Sequence, residues 1–399
     1  MQAEHVVHDL LTTTCSTMHQ TRRSSLEATV LAALSGTRLT VTDLGRSIRS
    51  SAKQKHCIKR TDRVLSNAHL HRERLSIYTA LSRGLIAENK RPVIIVDWSD
   101  LDACKRHFLL RAAVALNARA LTLYEEVHTT QTKEKPKTHL DFLRKLKAML
   151  AEDCCPIIVS DAGFRVPWFK LVASLGWEWV GRVRNRTFMQ VAGAASWVPA
   201  KSLYHKASIS PQALGAAHMA QSNPIECQLV LYKGKPKGRG HTTRLGSRSR
   251  ASQSRRHATR AREPWLLATS LAPGSSLAKQ VVRVYALRMQ IEDAFRDLKS
   301  TRFGLSLELH LSYHVQRVQI LLLIAALALM VAWVIGKATE LTHQHRHYQA
   351  NTVKDRVVLS TLFLGLRVIH DARTTLQAQD IAQAWQRLDA IIQSQCAIA

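Results

Sequence analysis

Tyr285, Arg288, Glu292 and Lys299 lie in the stretch YALRMQIEDAFRDLKS, residues 285–300. At about 100° per residue, offsets of three, seven and fourteen put all four within roughly 60° of one another on a helix. Such a stripe presents an aromatic hydroxyl, two cations and one carboxylate. A core-facing stripe would be apolar, and a solvated stripe would not need this selection. Two further carboxylates sit in matching contexts. Asp97 ends the apolar run of RPVIIVDWSD, and Asp161 ends that of CCPIIVSDAGF. One Asp after a strand is most often a turn residue, so the combination carries the reading. Two buried strands side by side, crossed by a helix bearing Glu292, would gather three carboxylates. Hard divalent cations take oxygen ligands of this kind, Mg2+ above all, with Mn2+ able to substitute. Two ions about 3.5–4 Å apart suit in-line attack at phosphorus, one activating the attacking oxygen and the other stabilising the leaving oxygen. Arg288, Lys299 and Tyr285 would then grip the flanking phosphates. Asp293 and Asp297 point about 100° and 140° off the stripe and are set aside as ligands.

The composition names the substrate. Lys plus Arg number 57 against 29 Asp plus Glu in 399 residues, a formal charge of +28. An excess of that size points to a polyanion, and nucleic acid is the commonest one, against the plainer reading of a basic ribosome-like or membrane-surface protein. An apolar fraction of 46% excludes a disordered chain. Seven cysteines form no C-x-x-C pair, which argues for reduced thiols in the cytoplasm and against a disulfide frame or a zinc site. The N-terminus lacks the basic and apolar regions of a signal peptide. The run ILLLIAALALMVAWVIG, residues 320–336, falls short of the roughly 18 residues of a membrane span and reads as a core helix, so no membrane is expected. GKPKGRG at 234–240 lacks the G-K-[ST] end of a phosphate-binding loop, so no nucleotide cofactor is expected.

The elements that must position these groups follow from periodicity. LTVTDLGRSI and HCIKRTDRVLSNAHLHRERLSIY read as two helices, with Thr40 or Thr42 capping the first. The second carries Lys59, Arg60, Arg63, Arg72 and Arg74, a helix-turn-helix arrangement with cations placed for phosphate and groove contacts. From Arg91 the pattern predicts three strands in a meander, a helix, a strand, a helix and a strand. Leu140, Leu143, Leu146 and Leu150 share the face of the first of these helices. Pro167 starts the second, and Gly176 follows its end. Between Lys233 and Arg262, eleven Lys or Arg occur with no acid among Gly, Ser and Thr. This predicts a mobile basic arm for a DNA backbone. EPWLLATSL resumes strand character, and residues 275–300 read as one long helix.

The spacing Tyr285-x2-Arg288-x3-Glu292-x6-Lys299 matches in full the Tyr-Arg-Glu-Lys signature of the insertion-sequence-four family of DDE transposases. VDWSD around Asp97 and VSDAGF around Asp161 look like the family's other two acidic motifs. IKRTDRVLSN and QANTVKDRVVLSTLFLG resemble stretches of its transposon-ten type, and the resemblance spans nearly the whole chain. It implies an α/β fold with an RNase H-like catalytic core. Residues 1–88 would form a helical DNA-binding domain, with Arg60 and Arg63 as its DNA contacts. The core would occupy 89–185 and 273–343. A mostly β insertion with the basic loop would fill 186–272, and 344–399 would be helical and used for dimerisation. The implied activity is cut-and-paste transposition. Water nicks one strand at the element end, and the freed 3′-hydroxyl attacks the opposite strand to make a hairpin. The hairpin is reopened, and the 3′ ends join target DNA. The catalytic carboxylates and ligands of two Mg2+ would be Asp97, Asp161 and Glu292. Trp265 looks like the residue that stacks on the base unstacked at the hairpin. The partners implied are double-stranded DNA at the element ends and the target, and a second copy of the chain.

Three rivals differ in class. HVQR, residues 314–317, with Tyr348 loosely resembles a tyrosine recombinase, which needs no metal. An RNase H-like nuclease or resolvase would cut without joining. A non-catalytic DNA-binding regulator would leave the three carboxylates without a purpose. The HQHRH cluster at 343–347 reads as a polar helix end, without a role.

Overall fold

The computed structural model describes residues 3–36, 38–86, 89–102, 104–184, 187–235, 247, 249–252, 259, 263–371 and 373–397. Its contacts divide the chain into two compact units, Met1–Cys154 with Met289–Ala397, and Cys155–Arg288. The architecture is mixed α/β, as the sequence predicts.

In the first unit, β1 (Val93–Asp100), β2 (Phe108–Ala115) and β3 (Ala120–His128) form the expected antiparallel meander, in the order β3-β2-β1. Every residue of β2 is buried, which explains its nearly continuous apolar sequence. One boundary differs from expectation. Pairing of β1 with β2 runs on to Asp100 opposite Phe108, so Asp97 lies inside the strand rather than at its end. On the other face of β1, the Trp98 indole Nε1–H donates to His139 Nε2 at 3.3 Å. His139 sits on α6 (Pro136–Met149), whose inward side carries Leu143 and Leu146, with Leu140 half-buried and Leu150 buried just past its end.

The helices α1 (Ala3–Thr14), α2 (Gln20–Leu34), α3 (Val41–Ser47), α4 (Gln54–Leu65) and α5 (Ala68–Ile86) precede the meander. Thr40 caps α3, its Oγ1 accepting the Asp43 N–H at 3.1 Å. A Cβ on Gly45 of α3 would lie 2.5 Å from the Ile58 Cα of α4, so this tight helix pair depends on a glycine. The expected single helix over 56–78 is instead two. Asn67 Oδ1 accepts the Leu70 N–H at 2.8 Å and restarts the chain as α5, the local competition that favours Asn at helix starts.

The apolar run belongs to α10 (Val315–Leu341), whose most apolar 18-residue window is 100% buried. Its burial comes from α2, α5, β3 and two later helices, α11 (Thr361–Val368) and α12 (Ala378–Ala397). A Cβ on Gly336 would lie 1.8 Å from the Thr361 carbonyl oxygen, and one on Gly365 would lie 1.8 Å from that of Ala332. The crossing of α10 and α11 is therefore set by backbone meeting backbone.

In the second unit, β4 (Ile157–Ser160) and β5 (Glu178–Val183) are parallel and joined through α7 (Val166–Ser174). Past α7, Gly176 adopts φ +78°. Its N–H reaches the Ala173 carbonyl at 3.0 Å, and the Trp177 N–H reaches that of Val172 at 3.4 Å, the paired bonds of a Schellman end. Then come β6 (Phe188–Val191), β7 (Val198–Pro199), β8 (Gln212–Met219), β9 (Ile225–Tyr232) and β10 (Trp265–Thr269). The order β4-β5-β10-β9-β8-β6-β7 shows that the strands expected as an insertion extend the sheet begun by β4 and β5. Most of the basic segment between Lys233 and Arg262 lies outside the described residues.

The expected single helix over 275–300 is also two, α8 (Leu277–Ala286) and α9 (Met289–Lys299). The Leu287 N–H bonds Val284 O at 3.2 Å and the Arg288 N–H bonds Tyr285 O at 3.1 Å, the tightened i to i−3 pattern that ends a helix. The signature residues therefore do not share one straight stripe. Tyr285 and Arg288 end the second unit, and Glu292 and Lys299 belong to the first.

Two measurements check these packing statements. Gly336→Ala overpacks the α10–α11 crossing, at a cost of about 1–3 kcal/mol or more, and lowers Tm by several degrees; an unchanged Tm contradicts the close approach. Burial, and then the nearby His128, push the pKa of His139 down to about 4. The unfolded chain, with His near 6.5, takes up this proton first as pH falls, so stability is lost between about 6.5 and 4. His139→Gln, which cannot charge, makes the decline of Tm across that window shallower than in wild type; a parallel profile contradicts the assignment.

Candidate active site

Asp97 is 8% exposed, and its Oδ1 accepts the Trp98 N–H at 2.8 Å. Directly across the ladder stands Arg111 on β2, on the same face of the sheet. Arg111 Nε donates to Glu125 Oε2 of β3 at 2.8 Å, and the Tyr78 hydroxyl donates to Glu125 Oε1 at 2.8 Å. A buried ion pair supported by further hydrogen bonds is costly to break, because removing either partner leaves a charge without compensation. The floor under Asp97 is thus rigid.

Helix α9 crosses the meander and is tied at both ends. Near its start, Gln290 Oε1 accepts the Leu116 N–H of the β2–β3 turn at 2.8 Å. At its end, Lys299 Nζ donates to Ser99 Oγ and to the Asp100 carbonyl, each at 2.8 Å. Arg119 holds the flank, with Nε donating to Asp297 Oδ2 at 2.5 Å and a longer pairing to Asp293 at 3.9 Å. Asp293 and Asp297, set aside from the sequence, are thus spent on ion pairs. Ser99 and Asp97 are two residues apart on one face of β1, and Lys299 and Glu292 are seven apart on one side of α9. The Lys299 bridge therefore brings the Glu292-bearing side of the helix to the Asp97-bearing face of the strand. Glu292 is exposed, in the first turn of α9. Lys299 is half-buried, and burial lowers its pKa, with Glu308 and Asp100 opposing. Its observed contacts are with β1, so it positions the helix.

In the second unit, Asp161 follows β4 directly. Its Oδ1 accepts the Gly163 N–H at 2.7 Å, a turn that leads into α7. A Cβ on Gly163 would stand 2.9 Å from that same oxygen. Tyr285 is 3% exposed, too buried to offer its ring to solvent. Burial raises its pKa; Arg288 and Arg182 oppose this, and Asp161 adds to it. The Arg288 guanidinium lies 5.8 Å from the Tyr285 ring centre. Trp265 packs edge-on against Tyr285 at 4.9 Å and against Tyr232 at 5.8 Å, and is half-buried.

Arg182 on β5 is the residue that sequence reasoning missed. Its side chain is 13% exposed, it pairs with Glu263 at 3.7 Å and donates to the Pro264 carbonyl at 3.4 Å, and among the described residues its Nε has no hydrogen-bond partner. A cation inside the apolar strand WVGRVR was the available signal. Arg182, Arg288 and Tyr285 form a cationic cluster that interacts electrostatically with Asp161.

Arg60 and Arg63 of α4 line a cavity of about 620 Å³ with His19, Ser24, Ser25 and His56. Arg60 donates to Ser25 Oγ at 3.3 Å and to the Ser24 carbonyl at 2.9 Å, while Arg63 is exposed. Arg74 is a correction to the sequence reading. It is 8% exposed, donates to the Glu125 carbonyl at 2.8 Å and sits among the Tyr78 and Tyr124 rings, so it belongs to the core. The recombinase rival fails on geometry. Arg317 pairs with Asp62 at 2.7 Å near the start of α10, and Tyr348 lies beyond its far end, bonded to Thr374. The helix between them spans about 36 Å.

Among the described residues, no three His, Cys, Asp or Glu side chains form a ready-made metal cage. Mg2+ does not require one, because it keeps several waters and is held by one or two carboxylates together with substrate phosphates. The candidate donors Asp97, Asp161 and Glu292 are all carboxylates, without thiolate or imidazole, which fits a hard divalent ion. In the first unit, Asp97 and Glu292 would hold it.

No curated protein matches the sequence. Residues 88–330 match the family described as Transposase DDE domain. The match covers more than half of the chain and takes in Asp97, Asp161, Trp265 and all four signature residues. On this match, and with a strand-borne carboxylate faced by the Glu292 helix, the chain belongs to the DDE transposases, RNase H-like enzymes that cleave DNA and transfer its strands with divalent metal ions.

Proposed function

We propose that this transposase is of the insertion-sequence-four, transposon-ten type and moves its element by cutting and pasting through DNA hairpins. The complete Tyr285-Arg288-Glu292-Lys299 signature supports the type. The observation that carries the catalytic assignment is the Lys299 bridge to Ser99 and Asp100, which registers the Glu292 helix on the strand that bears Asp97.

The assigned catalytic carboxylates are Asp97, Asp161 and Glu292, ligands of two Mg2+ or Mn2+ ions. The ions, when bound, supply charge stabilisation to the attacking and leaving oxygens at phosphorus. The chain's own residues do the rest. Trp98 N–H and Gly163 N–H each hold one carboxylate oxygen of Asp97 and Asp161, fixing how the carboxyl groups turn. Arg288 and Arg182, braced by the buried Tyr285, grip a phosphate beside the scissile one. Each step exchanges one P–O bond for another, first with water and then with a DNA 3′-hydroxyl, so no nucleotide is consumed. Arg60 and Arg63 bind the terminal inverted repeat. Trp265 stacks on the base unstacked at the hairpin. Two copies hold the paired ends, with residues 344–399 as the contact, and the enzyme works in the cytoplasm.

Asp97→Asn, Asp161→Asn and Glu292→Gln each lower cleavage of element-end DNA by about a thousandfold or more, the scale of losing transition-state charge stabilisation, and leave end binding unchanged. Full cleavage by any one variant refutes its assignment, and a chelator-resistant, tyrosine-linked adduct refutes the mechanism. Trp265→Ala spares the first nick and slows hairpin formation by about 5- to 150-fold, the range for one lost stacking contact; equal slowing of both steps removes the stacking role.

A further inference from the structure

The segment that follows α9 exposes apolar side chains from a backbone that is firmly held. Phe303, Leu309, Leu311 and Tyr313 are 47%, 37%, 79% and 66% exposed, while His310 and Ser312 between them are 4% and 9% exposed. From Leu309, the end of a short 3-10 turn (Leu307–Leu309), to Tyr313 this is the alternation of an extended strip with one face inward and one outward. The backbone is pinned ahead of this strip and at its far end. The Leu305 N–H bonds the Asp297 carbonyl at 2.9 Å, the Leu305 carbonyl accepts the Leu39 N–H at 3.1 Å, and His107 Nε2 contacts the Tyr313 carbonyl at 3.1 Å. Gly304 has no room for a Cβ, which would lie 1.9 Å from the Asp297 carbonyl oxygen. Apolar groups held out by an ordered backbone mark a surface with a partner.

The chemistry of the partner follows from what surrounds Tyr313. The Arg106 guanidinium lies 4.3 Å from the Tyr313 ring centre, and the Arg106 side chain is itself 41% exposed. Lys105, 71% exposed, is adjacent, with Arg302 and His314 exposed on the same segment pair. Of the acids there, Glu308 is exposed, Asp100 is 45% exposed and pairs with Lys105 at 4.0 Å and Lys133 at 3.7 Å, and Asp102 is taken up by His107 and Arg106. A guanidinium stacked on an open aromatic ring, within a cationic surround, is the platform on which an unpaired nucleobase stacks. An apolar protein partner would not select the cations, and an intact duplex offers no base face. The Arg106 loop continues directly from β1, the strand of Asp97, and Asp100 at its root takes the Lys299 bridge.

We infer that Tyr313 and Arg106 form a stacking site for an unpaired base of single-stranded or distorted DNA, separate from Trp265. The inference rests on DNA as the substrate, but not on the catalytic assignment.

The test uses the full chain with chelator present, so that nothing is cleaved. The probes are a single-stranded oligonucleotide carrying 2-aminopurine and the fully paired duplex of the same sequence. Tyr313→Ala weakens single-strand binding by about 5- to 150-fold and relieves 2-aminopurine quenching, with duplex affinity unchanged. Tyr313→Trp restores both. Asp97→Asn retains both, which separates failure of this site from failure of the catalytic reading. Unchanged single-strand binding by Tyr313→Ala overturns the inference, as does equal loss on both probes. A change in oligomeric state of Tyr313→Ala by light scattering, with DNA affinity kept, also overturns it, because the surface then serves a second copy.

Discussion

A single ammonium group registers the helix of Glu292 on the strand of Asp97. Lys299 reaches the Ser99 hydroxyl and the Asp100 carbonyl from the last turn of α9. Hydrogen bonds to a charged group contribute about 1.5–3 kcal/mol each. With Gln290 at the other end and Arg119 on the flank, they leave α9 little freedom to slide. A shift of one helical residue would turn Glu292 by about 100°. Exact positioning of oxygen ligands is what a metal-assisted phosphoryl transfer demands, and these bonds would supply it if Glu292 holds a metal ion as proposed.

The rest of the first unit serves that rigidity. Arg111 and Glu125 are each 1% exposed in their side chains, and their ion pair is completed by Tyr78 and, through the Glu125 carbonyl, by Arg74. The 27-residue α10 lies behind them as a helix apolar on all sides. Its fit against α11 depends on two glycines that let backbones touch. Hydrophobicity alone would keep such a helix buried without fixing its position; backbone contact fixes it.

The second unit has a different electrostatic character. Arg182, Arg288 and Tyr285 place two cations and a buried phenol within the field of Asp161. Arg182 is held there by Glu263 at 3.7 Å and by the Pro264 carbonyl at 3.4 Å. The large positive charge of the chain then serves to draw DNA in from a distance.

Sequence alone determined the order of elements in the catalytic region, the identity of the three candidate carboxylates and the polyanionic substrate. Periodicity and charge are local or additive, and each is legible residue by residue. It also determined that the apolar run at 320–336 is a core helix. What sequence could not decide were breaks that depend on neighbours. Asn67 splits one expected helix and the Leu287–Arg288 turn splits another, because capping bonds and tight turns win over propensity only in context. Arg74 reads as a surface cation until the core around Tyr78 and Tyr124 is seen to enclose it. Lys299 reads as a phosphate ligand, and its bonds to β1 are a second role that sequence did not indicate. Arg182, Gly304 and the Arg106–Tyr313 pair carry no periodic signal, since their meaning lies in contacts between residues far apart in the chain. Only tertiary packing creates those contacts, because a side chain's partner is set by distance in space and not by separation in sequence.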